Sequence, residues 1–182
     1  MRVLITGTPG TGKTLIAEEL GKLTGWDVLH ISEIAEEASA VRHEEEESTV
    51  DVARLFSYLG LVLKKKKNLI FEGHLGCEAP CPAELVVVLR THPEELEKRM
   101  EKRGYYREKI DENVMAELLD YCYQLAEKNF SCDILELDTT GRTPKTCAEK
   151  IFAYINGSID ALDKVSWENY LERKTGRHPR GE

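Results

Sequence analysis

Apolar residues in this 182-residue chain fall into two kinds of pattern. Three short runs are apolar without a break: Val3-Leu4-Ile5, Leu69-Ile70-Phe71 and Leu85-Val86-Val87-Val88-Leu89. Continuous rather than alternating runs mark strands covered on both faces. Between them apolar positions recur at helical spacing, as at Ile16, Leu20 and Leu23, or at Leu55, Leu59, Val62 and Leu63. The pattern predicts strands over about 2–6, 27–31, 69–72, 85–90 and 134–137. It predicts helices over about 13–23, 33–38, 52–65, 93–103, 110–129 and 144–156, and a short helix or two beyond 157. Ser32 is placed to cap the second helix, and the Asp51 carboxylate suits the positive end of the third. Pro93 and Pro144 fall in first turns, while Gly104 and Gly157 fall just past helix ends. Residues 40–49 carry neither period and read as a mobile loop. No repeat or linker divides the chain. Strands alternating with helices predict one doubly wound α/β domain around a parallel sheet.

Composition narrows the class. Asp plus Glu number 33 against 25 Lys plus Arg, a formal charge of −8. That balance argues against coating nucleic acid through a general basic surface. Hydrophobic residues make up 41% of the chain, which excludes bulk disorder. The run 85–89 falls far short of the ~20 residues of a membrane span. The opening residues are too soon broken for a signal peptide, so a cytoplasmic protein is expected. Five cysteines, an odd number in a chain that needs no staples, read as reduced thiols.

The strongest chemical signal is Gly7-Thr8-Pro9-Gly10-Thr11-Gly12-Lys13-Thr14, a complete G-x-x-x-x-G-K-[ST] between a predicted strand and a predicted helix. Glycines let the backbone turn its N–H groups toward phosphate oxygens, and the helix N-terminus adds positive charge. Lys13 reaches the β and γ phosphates, and the Thr14 hydroxyl can ligate Mg²⁺. A second motif, Asn68-Leu69-Ile70-Phe71-Glu72-Gly73-His74, ends an apolar strand on an acid that can hold Mg²⁺ through water. It also sets His74 at the sheet edge where ligands bind. No Asn-Lys-x-Asp run occurs, which argues against a GTPase. Arg99 and Arg103 share one helix face, and Gly104, Arg107 and Lys109 follow. A hinge rich in cations suits a closing lid that clamps a moving phosphoryl group.

These residues, with Val50-Asp51, Val87-Val88-Leu89-Arg90-Thr91, Gly104-Tyr105, Lys109-Ile110 and Glu112-Asn113, resemble the atypical "isoenzyme six" adenylate kinases, a nuclear and archaeal family linked to small-subunit ribosome assembly. The resemblance covers about residues 1–156. It implies a three-layer P-loop fold with a five-stranded parallel sheet ordered 2-3-1-4-5. It implies Mg²⁺-dependent transfer of phosphate from ATP to AMP or another nucleoside monophosphate, with slow ATP hydrolysis involving His74. Residues Gly7, Gly10, Thr11, Gly12, Lys13, Thr14 and Leu15 would hold ATP phosphates, Arg103 would clamp ATP from a lid over about 102–112, and Arg142 would lie near adenine. A monophosphate-binding arm would span about 30–53, and a helical tail about 157–182. A basic small-subunit ribosomal protein would be a partner, any pre-rRNA contact indirect, and the protein a monomer. The chain departs from the eukaryotic branch in carrying Glu72 where that branch has Asp. Cys77 and Cys81 read as plain thiols ahead of a loop disulfide or a zinc site, which needs four ligands. The run 44–47 reads first as a solvated loop, with binding of a basic ribosomal-protein segment as the alternative, and the basic tail at Arg173, Lys174, Arg177 and Arg180 reads first as a frayed polar terminus, with an RNA contact as the sharper alternative. A monophosphate kinase and an ATP-driven assembly factor are the two functional readings.

Overall fold

A computed structural model describes residues 1–43 and 48–175. The acidic run 44–47 and the residues Arg177 and Arg180 lie outside the described residues. Five parallel strands form the central sheet: β1 (Arg2–Gly7), β2 (Asp27–His30), β5 (Leu69–Glu72), β6 (Leu85–Arg90) and β7 (Asp133–Asp138). Their spatial order is β2-β5-β1-β6-β7, which is 2-3-1-4-5 when only these strands are counted. The helices are α1 (Lys13–Thr24), α2 (Ile31–Glu37), α3 (Val52–Lys65), α4 (Pro93–Lys102), α5 (Arg107–Leu118), α6 (Tyr121–Asn129), α7 (Pro144–Ile155) and α8 (Glu168–Thr175). Among the described residues no helix is long and apolar enough to cross a membrane.

The unbroken apolar runs follow from burial on both faces. Val3, Ile5, Val87 and Leu89 point to one side, against Ile16, Ala17 and Leu20 of α1 and Ala148 and Ile151 of α7. Leu4, Phe71, Val86 and Val88 point to the other, against Leu55, Leu59 and Leu63 of α3 and Ala126 of α6. Leu96, Met100 and Ile110 bind α4 to α5. The predicted α1 stripe is narrower than its spacing suggests, because Leu23 is exposed.

Three local expectations are corrected. Residues 40–49 are not simply a loop. Val41–His43 (β3) and Ser48–Val50 (β4) pair antiparallel, with Val41 opposite Val50. Each strand carries one apolar residue, too few for a period to register, and both valines pack on the α2–α3 core. Ser32 does not cap α2. The helix starts at Ile31 straight from β2, with His30 in the capping position and its ring turned to Glu72. The predicted single helix over 110–129 is two helices, divided at Asp120, whose φ of 53° is left-handed. Arg90 Nη2 donates to the Glu117 carbonyl at 3.1 Å, and Gln124 Nε2 to the Leu119 carbonyl at 2.9 Å. Carbonyls that would continue the helix are therefore taken by side chains, and Asp tolerates the left-handed turn better than most residues.

Parallel register places the site. Ile5 and His30 both stand beside Glu72 at the carboxyl edge of the sheet, directly before the Gly7 turn.

Candidate active site

The turn between β1 and α1 wraps on three glycines with positive φ, Gly7 at 138°, Gly10 at 96° and Gly12 at 97°. At Gly7 a Cβ would also meet the Leu89 carbonyl oxygen at 2.4 Å, so both space and conformation exclude a side chain. The Lys13 ammonium folds back on the turn, donating to the Gly7 carbonyl at 2.9 Å and the Thr8 carbonyl at 3.0 Å. Burial pushes its pKa down, while Glu72 pulls the other way.

Glu72 is buried, 6% exposed, and its Oε1 accepts from the Thr14 hydroxyl at 3.1 Å and lies 2.8 Å from His30 Nδ1. The sequence reading missed His30. Its one signal is a polar residue at the end of a strand bound for the ligand edge. Thr14 and Glu72 together offer hard oxygens to one point at the loop, a donor set that fits a hard cation such as Mg²⁺.

His74 opens the short 3-10 turn His74–Cys77 that follows Glu72. The residue is exposed to solvent. Partial desolvation by the surrounding protein, with the Lys13 and Lys109 charges, lowers its pKa to about 4 against the pull of Glu72. His74 is therefore neutral across pH 5–8. Folded His74 holds its proton less tightly than the unfolded chain does, so acidification from about pH 6.5 to about 4 removes stability. The expected outcome is an NMR titration of His74 with a midpoint far below 6.5, and a His74→Asn variant that loses less stability over that pH interval. A midpoint near 6.5 would refute the assignment.

Among the described residues, two cavities of more than 300 Å³ flank the phosphate turn. One, about 310 Å³, runs from Lys13, Glu72 and His74 to an apolar wall of Ile31, Ala35, Val41 and Val50. The other, about 470 Å³, lies between Leu15 and Ile16 of α1, Arg99 and Lys102 of α4, and Thr139 and Arg142 after β7. Gly10 and Arg103 line both. Arg103 makes no hydrogen bond or ion pair with the other described side chains, and Lys13 feels its charge.

The cations expected to gather at the lid divide. Arg99 and Arg103 both line the second cavity. Arg99 is tied to the loop after β7 through Thr139 O at 2.8 Å and Thr139 Oγ1 at 3.0 Å, and it pairs with Glu95. Arg107 is exposed and pairs with Glu97 and with Asp111, the latter at 2.7 Å. Lys109 pairs with Glu112 at 3.1 Å, and neither Arg107 nor Lys109 lines either cavity. Local carboxylates draw these side chains away, which helical spacing cannot register. Arg142 does reach the second cavity, where Asp163 accepts from it at 2.5 Å and raises its pKa. The cysteines are free thiols, with Cys77 buried and donating to the His74 carbonyl at 3.4 Å.

A glycine turn feeding a helix N-terminus, a lysine at its first position and a threonine–carboxylate pair at the edge of a 2-3-1-4-5 sheet define a P-loop nucleotide-binding protein. The AAA-domain family model matches residues 3–120, and the chain belongs to that family. It belongs equally with a group of archaeal proteins that carry the name "Putative adenylate kinase". The Pyrococcus furiosus member is 37% identical over 173 residues, covering 94% of each chain. The Methanocaldococcus jannaschii member is 32% identical over 179 residues, covering 96% of this chain and 98% of its own. Among solved structures, a shikimate kinase from Acinetobacter baumannii superposes with a TM-score of 0.61 at 18% identity, over 86% of this chain and 93% of that one. A deoxyadenosine kinase from M. mycoides gives a TM-score of 0.57 at 18% identity, over 87% of this chain and all of that one. These two share the fold.

Proposed function

We propose that the protein is a Mg²⁺-dependent nucleoside monophosphate kinase that moves the γ-phosphate of ATP to AMP. The observation that carries this reading is the pair of cavities meeting at Gly10 and Arg103. A phosphoryl transfer needs a donor pocket and an acceptor pocket on opposite sides of one phosphate cradle, with a cation at the junction. The names of the archaeal relatives agree with it.

In this reading ATP lies in the cavity bordered by Leu15 and Arg142, with its phosphates on the backbone N–H groups of Gly10, Thr11, Gly12, Lys13 and Thr14. The monophosphate lies in the cavity walled by Ile31 and Val41, so residues 30–53 form the acceptor arm and 102–112 the lid. Lys13 leaves the Gly7 and Thr8 carbonyls for the β and γ oxygens. Arg103 meets the charge that develops on the moving group, and Arg99 holds the loop after β7. Thr14 and Glu72 would hold Mg²⁺, which when bound neutralises charge on the β and γ oxygens. Because His74 is neutral, it can accept a hydrogen bond from water or a ribose hydroxyl without adding charge.

A coupled assay with AMP, dAMP, CMP, UMP and GMP tests the reading. ADP formation from ATP should rise with AMP and saturate. ATP turnover indifferent to every monophosphate would overturn it. A second reading, an ATPase acting with a basic small-subunit ribosomal protein, draws on the net charge of −8 and on the neutral imidazole beside Glu72. It predicts turnover without AMP that rises when such a protein is added.

A further inference from the structure

A buried polar cluster stands outside both cavities, and none of the roles above uses it. At its centre is Glu117, 2% exposed. One oxygen accepts from the Thr8 hydroxyl at 2.6 Å. The other accepts from Arg90 Nε at 2.8 Å, the Thr91 N–H at 3.2 Å and Trp167 Nε1 at 3.1 Å. Thr8 is the second residue of the phosphate turn, and its carbonyl receives the Lys13 ammonium at 3.0 Å and the Thr11 hydroxyl at 2.9 Å. Any displacement of Thr8 therefore moves the resting place of Lys13 and the curvature of the turn.

Trp167 reaches this cluster from the chain that follows α7. That segment returns along β7, where the Asp163 N–H donates to the Glu136 carbonyl at 3.0 Å and the Asp138 N–H donates to the Asp163 carboxylate at 3.0 Å. The same carboxylate pairs with Arg142 and Lys150. Two residues on, the Val165 N–H reaches Glu136 Oε2 at 3.3 Å. The indole of Trp167 then sits 5.8 Å from the Arg90 guanidinium and edge-on to His92 at 5.4 Å.

We propose that segment 163–167 is a positioning brace for the nucleotide site: Trp167 holds Glu117 where it fixes Thr8, and Asp163 holds Arg142 at the edge of the second cavity. Trp167, Glu117 and Asp163 are positioning residues, since none of them lines either cavity. Two chemically unlike contacts from five consecutive residues thus order both the turn beneath the phosphates and the arginine at the far end of the same cavity.

The inference rests on the phosphate turn binding MgATP, and only its turnover arm rests on the kinase reading. Trp167→Phe keeps the ring over Arg90 and deletes the indole N–H. Thr8→Val keeps the shape and deletes the hydroxyl, while Thr8→Ser restores it. The full-length chain and these variants are compared by calorimetric MgATP binding, by AMP-dependent kcat and by melting temperature. Trp167→Phe and Thr8→Val should each weaken MgATP binding about three- to tenfold, the range for the net contribution of one ordinary hydrogen bond. The double variant should be no weaker than the worse single one, because both act through Glu117. Thr8→Ser should return to wild-type binding. A Trp167→Phe variant with a lowered melting temperature and unchanged MgATP affinity would overturn the brace, and so would multiplicative losses in the double variant. Should Thr8→Val not fold, MgATP affinity in Trp167→Phe decides alone. A wild-type chain that binds MgATP without AMP-dependent turnover defeats the kinase reading, and the binding arm still decides the brace.

Discussion

Lys13→Ala is expected to lower AMP-dependent ADP formation by about a thousandfold, with most of the loss in kcat. The estimate follows from what one preorganised charged donor contributes when negative charge redistributes in the transition state, about 10²–10³ in rate, with Lys13 at the upper end as a full cation. Stability should move little or rise. The ammonium is buried, its pKa is depressed by that burial, and its partners are two carbonyl oxygens rather than a carboxylate. Removing it therefore relieves a desolvation penalty while freeing carbonyls that water can reach. The discriminating measurement pairs steady-state kinetics with urea denaturation. A variant inactive because it is unfolded would contradict the assignment, and so would one folded with near-normal kcat. Lys13→Arg should recover little, since a planar fork cannot take the position of a compact ammonium inside the glycine turn.

Arg90→Met is expected to have the largest effect on stability, a loss of about 3–5 kcal/mol, as when one partner of a buried ion pair is removed. Arg90 closes the apolar β6 strand and is 2% exposed. Its Nε meets Glu117 at 2.8 Å, and its two terminal nitrogens pair with Asp120 and Glu136. Burial alone would lower its pKa, but the Glu117 and Asp120 carboxylates outweigh that and raise it. Methionine fills much of the volume and leaves Glu117 and Glu136 without their cation. For a chain of this size the melting temperature should fall by about 10 °C. The sign of the pH dependence is also set. Stranded buried carboxylates bind protons more tightly in the folded than in the unfolded state, so the deficit should shrink as pH falls from 8 to 5. Burial already raises the pKa of Glu136 with Arg90 present. A deficit that is small, or that grows on acidification, would show that Arg90 is not the counter-charge of this cluster.

These two residues show how differently the chain declares its parts. Lys13 was legible at once, because seven neighbours in sequence form the whole turn and nothing distant is needed to read it. Glu72 and His74 were legible for the same reason, as the end of an apolar strand. Arg90 was on the page too, as a charge at the end of an otherwise apolar run, yet its partners lie 27, 30 and 46 positions away. No local period announces Glu117 or Trp167, 50 residues apart and joined by one indole hydrogen bond.

What the sequence by itself determined was therefore everything written by short-range rules: the unbroken strands, the amphipathic helices, the strand–turn–helix at Gly7–Thr14 and the class of chemistry it serves. Tertiary structure decided how charge is distributed. Arg107 and Lys109 resembled phosphate ligands in the sequence, but nearby carboxylates pair with them outside both cavities, whereas Arg99 is tied to Thr139 in the wall of the second cavity and Arg103 stands between the two. The same competition divided 110–129 into two helices, as Arg90 captured the Glu117 carbonyl. The physical reason is common to both outcomes. Apolar burial is non-directional and follows periodicity, whereas a buried charge must find particular partners at hydrogen-bond distance, and only the folded chain brings those partners within reach.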